Sequence, residues 1–408
     1  MRGSPPGEHR KSIGHLAICT EPAQIDPLIS WQYDGVSQSA TWFSANDRPA
    51  PKNVIAVDDR LNADTAMRNA ARGTAMLWRG DYNNAKQLLA AMDRRLSATE
   101  ASKSPKQGQS DEQKFYSIRQ ARAHRSRMLS LVLIPLSLDS SPASAQIPLP
   151  RAPEVAAAID FGYKQSHNFT GGQAAVSLQE LIGVLSAHQW SITGVEVPAL
   201  GKKIYPNYGT FMPTRQEYVE LVARAPINDT QLAFDIGTGT GVLAALLVAR
   251  GVNTVIGTDI HQRAVDCANQ NFRQLGISNA ANAQLTNMFP DGKAPLIICN
   301  PPWLPGSAPS SLDAAIYDPG SKMLMQFLRG LPQHLTENGE GWLIISDLAE
   351  LLGLRANQAL ATAIDDAGLK VVGRIDGQPQ HGKAQKRSDP LHSARSRETT
   401  TLWRLKAK

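Results

Sequence analysis

The second half of this chain predicts a doubly wound α/β domain built on a mostly parallel sheet. Three observations carry that prediction. Short apolar strands alternate with longer helical segments from about residue 231, a glycine-rich turn joins the first strand to a helix, and an acidic residue closes the second strand. The strands read at 232–236, 254–260, 283–286, 296–300, 342–346, 370–375 and 399–405, seven in all, and helices follow Gly241, His261, Asp318 and Leu354. Near-continuous apolar runs of this kind are those of strands covered by helices on both faces.

Ahead of that domain, residues 1–20 are polar, bear Pro and Gly, show no periodicity, and are expected to be a disordered lead. Residues 21–200 read as a mainly helical region that selects the substrate. Ala85, Leu88, Leu89, Met92 and Leu96 follow the three-and-four spacing of one buried helix face. Gly80-Asp81 separates this helix from an earlier segment ending at Trp78, a stop followed by an N-cap, which predicts an αα-hairpin. Residues 97–113 hold almost nothing that can be buried and read as a linker. Arg125 and Arg127, the apolar run 128–138 and Ala143-Ser144-Ala145 resemble an export signal, but at an internal position where such a signal does not act. Leu178, Leu181, Ile182 and Leu185 mark another amphipathic helix. The second domain is placed at 201–408.

Composition removes several classes of function. The 408 residues are 42% hydrophobic and 19% charged, ordinary values for a globular protein and unlike those of a disordered chain. No apolar stretch approaches the roughly 20 residues of a membrane helix. Three scattered cysteines, Cys19, Cys267 and Cys299, suit a reducing cytoplasm and neither a disulfide framework nor a thiolate zinc site. No HExxH or GxSxG occurs, so zinc hydrolysis and the nucleophile elbow lack support, and no metal is expected. Of the net charge of +6, the segment 370–408 carries +7, from ten basic and three acidic residues. A second basic run comprises Lys114, Arg119, Arg122, Arg125 and Arg127. Both patches are either solvated surface or places that attract a phosphate backbone or an acidic partner.

The first strand of the α/β domain runs into Asp235-Ile236-Gly237-Thr238-Gly239-Thr240-Gly241. Glycines at such a junction let a ligand approach the free N–H groups at the helix start. Asp259 follows Asp235 by 24 residues, the place from which a carboxylate accepts hydrogen bonds from ribose hydroxyls. A dinucleotide fingerprint needs Gly at 242, where Val242 stands, so a nucleoside ligand without pyrophosphate is favoured. The fourth strand ends in Asn300-Pro301-Pro302-Trp303. Two prolines remove two backbone donors and leave a rigid turn of acceptors. The Asn300 side-chain oxygen and the Pro301 carbonyl could then receive both protons of an –NH2 group, with Trp303 stacked on its planar system.

Together DIGTGTG, TDI and NPPW resemble the class I S-adenosylmethionine-dependent methyltransferases of the NPPY/NPPW amino-methyltransferase group, over roughly residues 204–405. The resemblance implies a seven-stranded Rossmann-like methyltransferase fold and S-adenosyl-L-methionine as cofactor. It implies cofactor contacts from Asp235, Gly237, Thr238, Gly239, Gly241, Asp259, Ile260, Asn287 and Asn300, and catalysis by Asn300, Pro301, Pro302 and Trp303. Members of the group act on adenine N6, guanine N2 or the glutamine of translation release factors. Phe211 to Glu217 resembles the segment closing over the cofactor's methionine part in the glutamine enzymes, with Thr214 inserted between Pro213 and Arg215; Asn287 stands where the group usually has Asp. The expected activity is methyl transfer to a planar –NH2 nitrogen of a macromolecular partner, a protein glutamine first, an RNA or DNA base as the alternative, with the basic carboxyl-terminal segment on a phosphate backbone. A non-catalytic nucleoside-binding protein is the reading from another class. Cys299 reads as strand core, His261 as a helix start and Asp318 as an N-cap or pocket border, while Tyr205, Tyr208 and Phe211 either line the pocket or pack.

Overall fold

Each half of the chain builds its own open sheet. The structure, a computed structural model, describes residues 26–102, 108–139, 144–164, 167, 171–213, 215–307, 313, 315–378, 387 and 389–408. The expected lead at 1–20 lies outside the described residues.

The first half is not mainly helical. Strands β1 (Leu28–Tyr33), β2 (Val36–Phe43), β3 (Asn53–Val57), β4 (Thr74–Trp78), β5 (Val132–Leu138) and β6 (Gly172–Ser177) form a six-stranded sheet in the order β1-β2-β6-β5-β4-β3. β3, β4 and β5 run parallel, β6 lies antiparallel to β5, and β1 and β2 form a hairpin through Asp34 and Gly35, both at positive φ. Helices α1 (Ala63–Ala71), α2 (Tyr82–Ser102), α3 (Asp111–Leu129), α4 (Ala156–Tyr163) and α5 (Leu178–Thr193) complete this half.

The expected αα-hairpin is in fact helix, strand, helix. β4 was hidden because Met76 and Trp78 pack into one core cluster while Ala75 and Leu77 pack into another. Covered on both faces, the strand shows no alternation of apolar and polar residues. The same applies to β5, the internal run that resembles an export signal, where Val132, Leu133 and Ile134 are fully buried. Of the expected linker at 97–113, residues 97–102 continue α2 and 111–113 begin α3, while 103–107 lie outside the described residues. α2 continues to Ser102, and α3 starts with a capping box in which the Ser110 side chain accepts from Gln113 N–H and Gln113 reaches back to Ser110 N–H.

In the second half a short hairpin, β7 (Val195–Val197) and β8 (Lys202–Ile204), crosses the boundary expected at 200, and Val197 and Ile204 pack into the core of the following domain. Then come α6 (Glu217–Arg224), β9 (Leu232–Ile236), α7 (Val242–Ala249), β10 (Thr254–Asp259), α8 (Gln262–Leu275), β11 (Ala281–Leu285), β12 (Ala294–Cys299), α9 (Lys322–His334), β13 (Leu335–Ser346), α10 (Leu348–Leu351), α11 (Ala359–Asp366), β14 (Leu369–Gly377), α12 (His392–Arg395) and β15 (Thr400–Ala407). The sheet has seven strands in the order β11-β10-β9-β12-β13-β15-β14, parallel except for β15, which is antiparallel to both neighbours. The first and fourth strands, β9 and β12, are neighbours. Chain connections leave in opposite directions there, which opens a crevice at their carboxyl ends.

The halves touch near that crevice. Arg263 donates to the Ala45 carbonyl at 2.8 Å, Asn46 Nδ2 donates to the Tyr208 hydroxyl at 2.7 Å, and Phe115 of α3 packs in a cluster with Leu348, Leu352, Leu391 and Ala394. Glu180 fixes the contacting loop: its carboxylate accepts from the Ser44 hydroxyl, Ala45 N–H and Asn46 Nδ2. Among the described residues no helix is long and apolar enough to cross a membrane.

Candidate active site

A cavity of 1360 Å³ lies over the carboxyl ends of β9, β10 and β12. A small-molecule site is commonly about 300–1,000 Å³.

At one end the glycine loop forms the floor. Gly237, Gly239 and Gly241 all have left-handed φ, from 56° to 78°. Such angles suit glycine, and a Cβ at Gly237 would come within 2.6 Å of the Met323 methyl. α7 begins here with Gly241, which has no side chain to cap it, and its first two residues, Val242 and Leu243, line the cavity. Gly239 N–H donates to Asp259 Oδ2 at 3.2 Å and His261 N–H to Oδ1 at 3.0 Å. Each carboxylate oxygen keeps a lone pair for a ribose hydroxyl. Burial raises the Asp259 pKa, and these backbone donors oppose the shift. Ile260, 60% exposed, lines the same end as an apolar platform, and Thr238 and Asn287 also reach it.

Two residues expected to touch the cofactor do not line the cavity. Asp235 is 1% exposed and sits beneath the loop, where Oδ2 accepts from the Thr238 hydroxyl at 2.7 Å and from Ala244 N–H at 3.2 Å. It holds the loop in shape, and burial, only partly offset by those bonds, pushes its pKa up to about 6. Gly241 is a packing position: a Cβ there would meet the Phe272 ring at 2.6 Å.

At the other end Asn300, Pro301, Pro302 and Trp303 all line the cavity. The indole N–H of Trp303 donates to Asn300 Oδ1 at 2.9 Å, an internal bond that fixes the orientation of both side chains. One lone pair of the expected acceptor oxygen is therefore used, and the other remains. One face of Trp303 is covered by the Arg215 guanidinium, 4.7 Å from the ring centre, so an acceptor can stack only on the opposite face. Arg215 is itself held by Glu217 and by Glu398, whose carboxylate also accepts from the Ser346 hydroxyl. The departure at Thr214 thus leaves Arg215 bound to the acceptor tetrad.

The loop after the tetrad is pinned by a Leu304 to Tyr317 bridge and by Asp318, which lines the cavity and accepts from Leu324 N–H at 3.2 Å. Asp318 is both pocket border and support for α9. Phe211 lines the cavity; Tyr208 and Tyr205 pack instead, the latter through its backbone N–H to Asn271. Burial pushes the Cys267 thiol up to about 11 and raises Cys299 as well, so neither is an activated nucleophile. Among the described residues no group of three His, Cys, Asp or Glu could hold a metal.

The sequence reading missed Arg395 and Glu398, which reach the cavity from the basic carboxyl-terminal segment, and Asp47 and Arg122, which reach it from the first half. Only the unusual density of arginine on α3 gave any hint of the last.

Residues 220–362 match the family model described as the methyltransferase small domain. The chain is 25% identical over 162 residues to a Methanocaldococcus jannaschii protein assigned as a protein N5-glutamine methyltransferase, covering 38% of this chain and 80% of that one. It is 28% identical over 113 residues to the tRNA1(Val) (adenine(37)-N6)-methyltransferase of Shewanella sediminis, covering 26% of this chain and 46% of that protein. It is 29% identical over 156 residues to the ribosomal protein L11 methyltransferase of Lactobacillus gasseri, covering 38% and 43%. The chain thus spans most of the first relative and less than half of the other two. The second half carries a methyltransferase domain of the S-adenosylmethionine-dependent kind.

Proposed function

We propose that this protein methylates a planar –NH2 nitrogen of a macromolecule, with S-adenosylmethionine as methyl donor. One observation carries the reading: the acceptor-only Asn300-Pro301-Pro302-Trp303 turn and the glycine loop with Asp259 open into a single cavity. The residues present fit the cofactor. Asp259 has lone pairs for the ribose hydroxyls, Ile260 offers an apolar face to a purine, and Val242 and Leu243 at the start of α7 line the cavity. When bound, the cofactor supplies an electrophilic methyl on a sulfonium centre.

The chain's own residues then do three things. The free lone pair of Asn300 Oδ1 and the Pro301 carbonyl accept the two N–H bonds of the acceptor. That holds the nitrogen and stabilises positive charge as it develops there. Trp303, braced by Arg215, gives the planar group one face to lie on, so the nitrogen lone pair is aimed rather than free to rotate. Once methylated, the nitrogen would give up one proton to solvent. A glutamine side chain and a base amino group present the same planar –NH2 to these atoms, and the relatives include enzymes named for each.

Asn300→Ala tests the reading. Removing one preorganised partner of developing charge should lower turnover by about 10²- to 10³-fold. Cofactor affinity, measured by calorimetry, should stay within about twofold. Unchanged turnover would remove Asn300 from the chemistry.

A further inference from the structure

We infer that helix α3 of the first half supplies a phosphate-reading site at the mouth of the acceptor pocket, through Arg119 and Arg122, and that the acceptor is a base in a single-stranded or extruded stretch of nucleic acid. This deepens the proposed amino methylation and rests on it.

Three of the five basic residues of the run on α3 are engaged elsewhere. Lys114 pairs with Asp111, Arg125 makes a two-point ion pair with Asp93, and Arg127 contacts the His124 ring nitrogen. Those charges are spent within the fold. Arg119 and Arg122, three residues apart and so on one helix face, have no carboxylate partner among the described residues. Arg122 lines the cavity itself. The Arg119 guanidinium lies flat on the Tyr317 ring at 3.5 Å, donates through Nη2 to the Ser307 carbonyl, and fits against Gly306, where a Cβ would come within 2.7 Å of Nη1. Tyr317 lines the cavity, and residues 306 and 307 follow the tetrad by a few positions. Nη1 of Arg119 is buried and has no hydrogen-bond partner among the described residues. That atom is packed out of solvent against Gly306, so what Arg119 offers an anion is the charge of a guanidinium with no carboxylate beside it rather than this N–H.

The polarity of the pocket selects the ligand. Near the tetrad it offers acceptors, at Asn300, Pro301 and Asp318, and the second-half arginines Arg215 and Arg395 that line it are held by Glu217, Glu398 and Asp389, whereas Arg119 and Arg122 stand on the wall built by α3 with no carboxylate partner among the described residues. A ligand that suits this has a neutral, hydrogen-bond-donating planar group inside and an anion a short, fixed distance outside. A nucleotide within a strand has that arrangement, since each base amino group is tied through one sugar to its phosphate. Asp47, the other cavity residue from the first half, is a carboxylate, so the arginine pair is the cationic part of what this half contributes. A base inside a duplex cannot reach Asn300 without leaving the stack, which is why the strand must be single or the base extruded.

The test uses the full chain with methyl-labelled cofactor and short mixed-sequence single-stranded RNA or DNA in separate arms, with a protein extract cleared of nucleic acid in a third. Expected is label on a base amino group in the RNA or the DNA arm. Arg122→Ala and Arg119→Ala should each raise KM about tenfold with kcat nearly unchanged. Each should also lower the slope of log affinity against log salt by about one. Arg119→Lys, which keeps the charge but not the planar stack on Tyr317, should retain the salt slope and recover part of the affinity. Arg60→Ala, an exposed arginine of the first half paired with Asp58, serves as the control and should change nothing. Nucleic acid labelled equally well by wild type and both alanine variants would overturn the α3 site and leave amino methylation standing. Label confined to protein would overturn the nucleic-acid acceptor and likewise leave the chemistry intact. No label in any arm, with cofactor bound, would overturn both readings.

Discussion

The two halves share an architecture, strands feeding helices across an open sheet, yet the cavity lies over the strand ends of the second, and the two differ at their strand-to-helix junctions. In the second half β9 enters α7 through left-handed glycines; Asp235 takes the Ala244 N–H from beneath, and the first two helix residues, Val242 and Leu243, line the cavity with no capping side chain over them. In the first half β3 enters α1 through Asp58 to Asn62, and the Asn62 side chain accepts from Thr65 N–H at 2.9 Å. The next junction is closed in the same way: Asp59 accepts from Asp81 N–H and from Asn84, and Asp81 is salt-bridged to Arg151. A helix start is a binding site only while its N–H groups are unclaimed. Caps stabilise the first half and at the same time seal it.

Three substitutions sharpen that contrast. The largest effect is expected at Asp235, the buried carboxylate beneath the glycine loop. Its folded pKa of about 6 lies above the ordinary carboxylate value of 3.8, so the native state holds the proton more tightly. Its contribution to stability is full below about pH 4 and is lost as pH rises through about 6, a span of about 3 kcal/mol. Asp235→Asn keeps an oxygen for Thr238 and Ala244, so the denaturant midpoint of the variant should gain on wild type across that pH window. Equal midpoints throughout would show that Asp235 does not titrate there. The exposed acids of the first half behave oppositely: Arg60 lowers the pKa of Asp58 and Arg151 that of Asp81, so whatever they contribute is lost on acidification.

Next comes Asp259→Ala, which removes charged hydrogen bonds worth about 1.5–3 kcal/mol and should weaken cofactor binding about 10- to 100-fold in calorimetry. Native-like affinity would place the ribose elsewhere. The smallest effect belongs to Asn62→Ala in the first half. Loss of the cap should cost about 1 kcal/mol of stability in urea, with cofactor affinity unchanged.

The second half was legible because its chemistry is local. The strand ending at Ile236, the glycine loop, Asp259 and the Asn-Pro-Pro-Trp turn each fit within a few residues, and each lies where its spacing placed it. Asp235 was assigned to the wrong face of its loop, since motif spacing does not say which side of a turn a carboxylate takes. The first half hid its sheet because Thr74–Trp78 and Val132–Leu138 are buried on both faces, and Ala, Met and Leu in such a run also suit a helix. Glu398, 183 residues from the Arg215 it holds, and the α3 arginines, nearly 200 residues from the turn they face, lay beyond any local pattern.

The long excursion between β4 and β5, which carries α2 and α3, also has a consequence for the order of assembly. Domains tend to fold as units, amino-terminal first, while the chain is being made. The sheet that holds α3 can therefore close before β12 and its Asn-Pro-Pro-Trp turn have been synthesised. Phe115 would then present a finished surface on which Leu348, Leu352, Leu391 and Ala394 settle as they emerge. The wall stands first, and the pocket is cast against it.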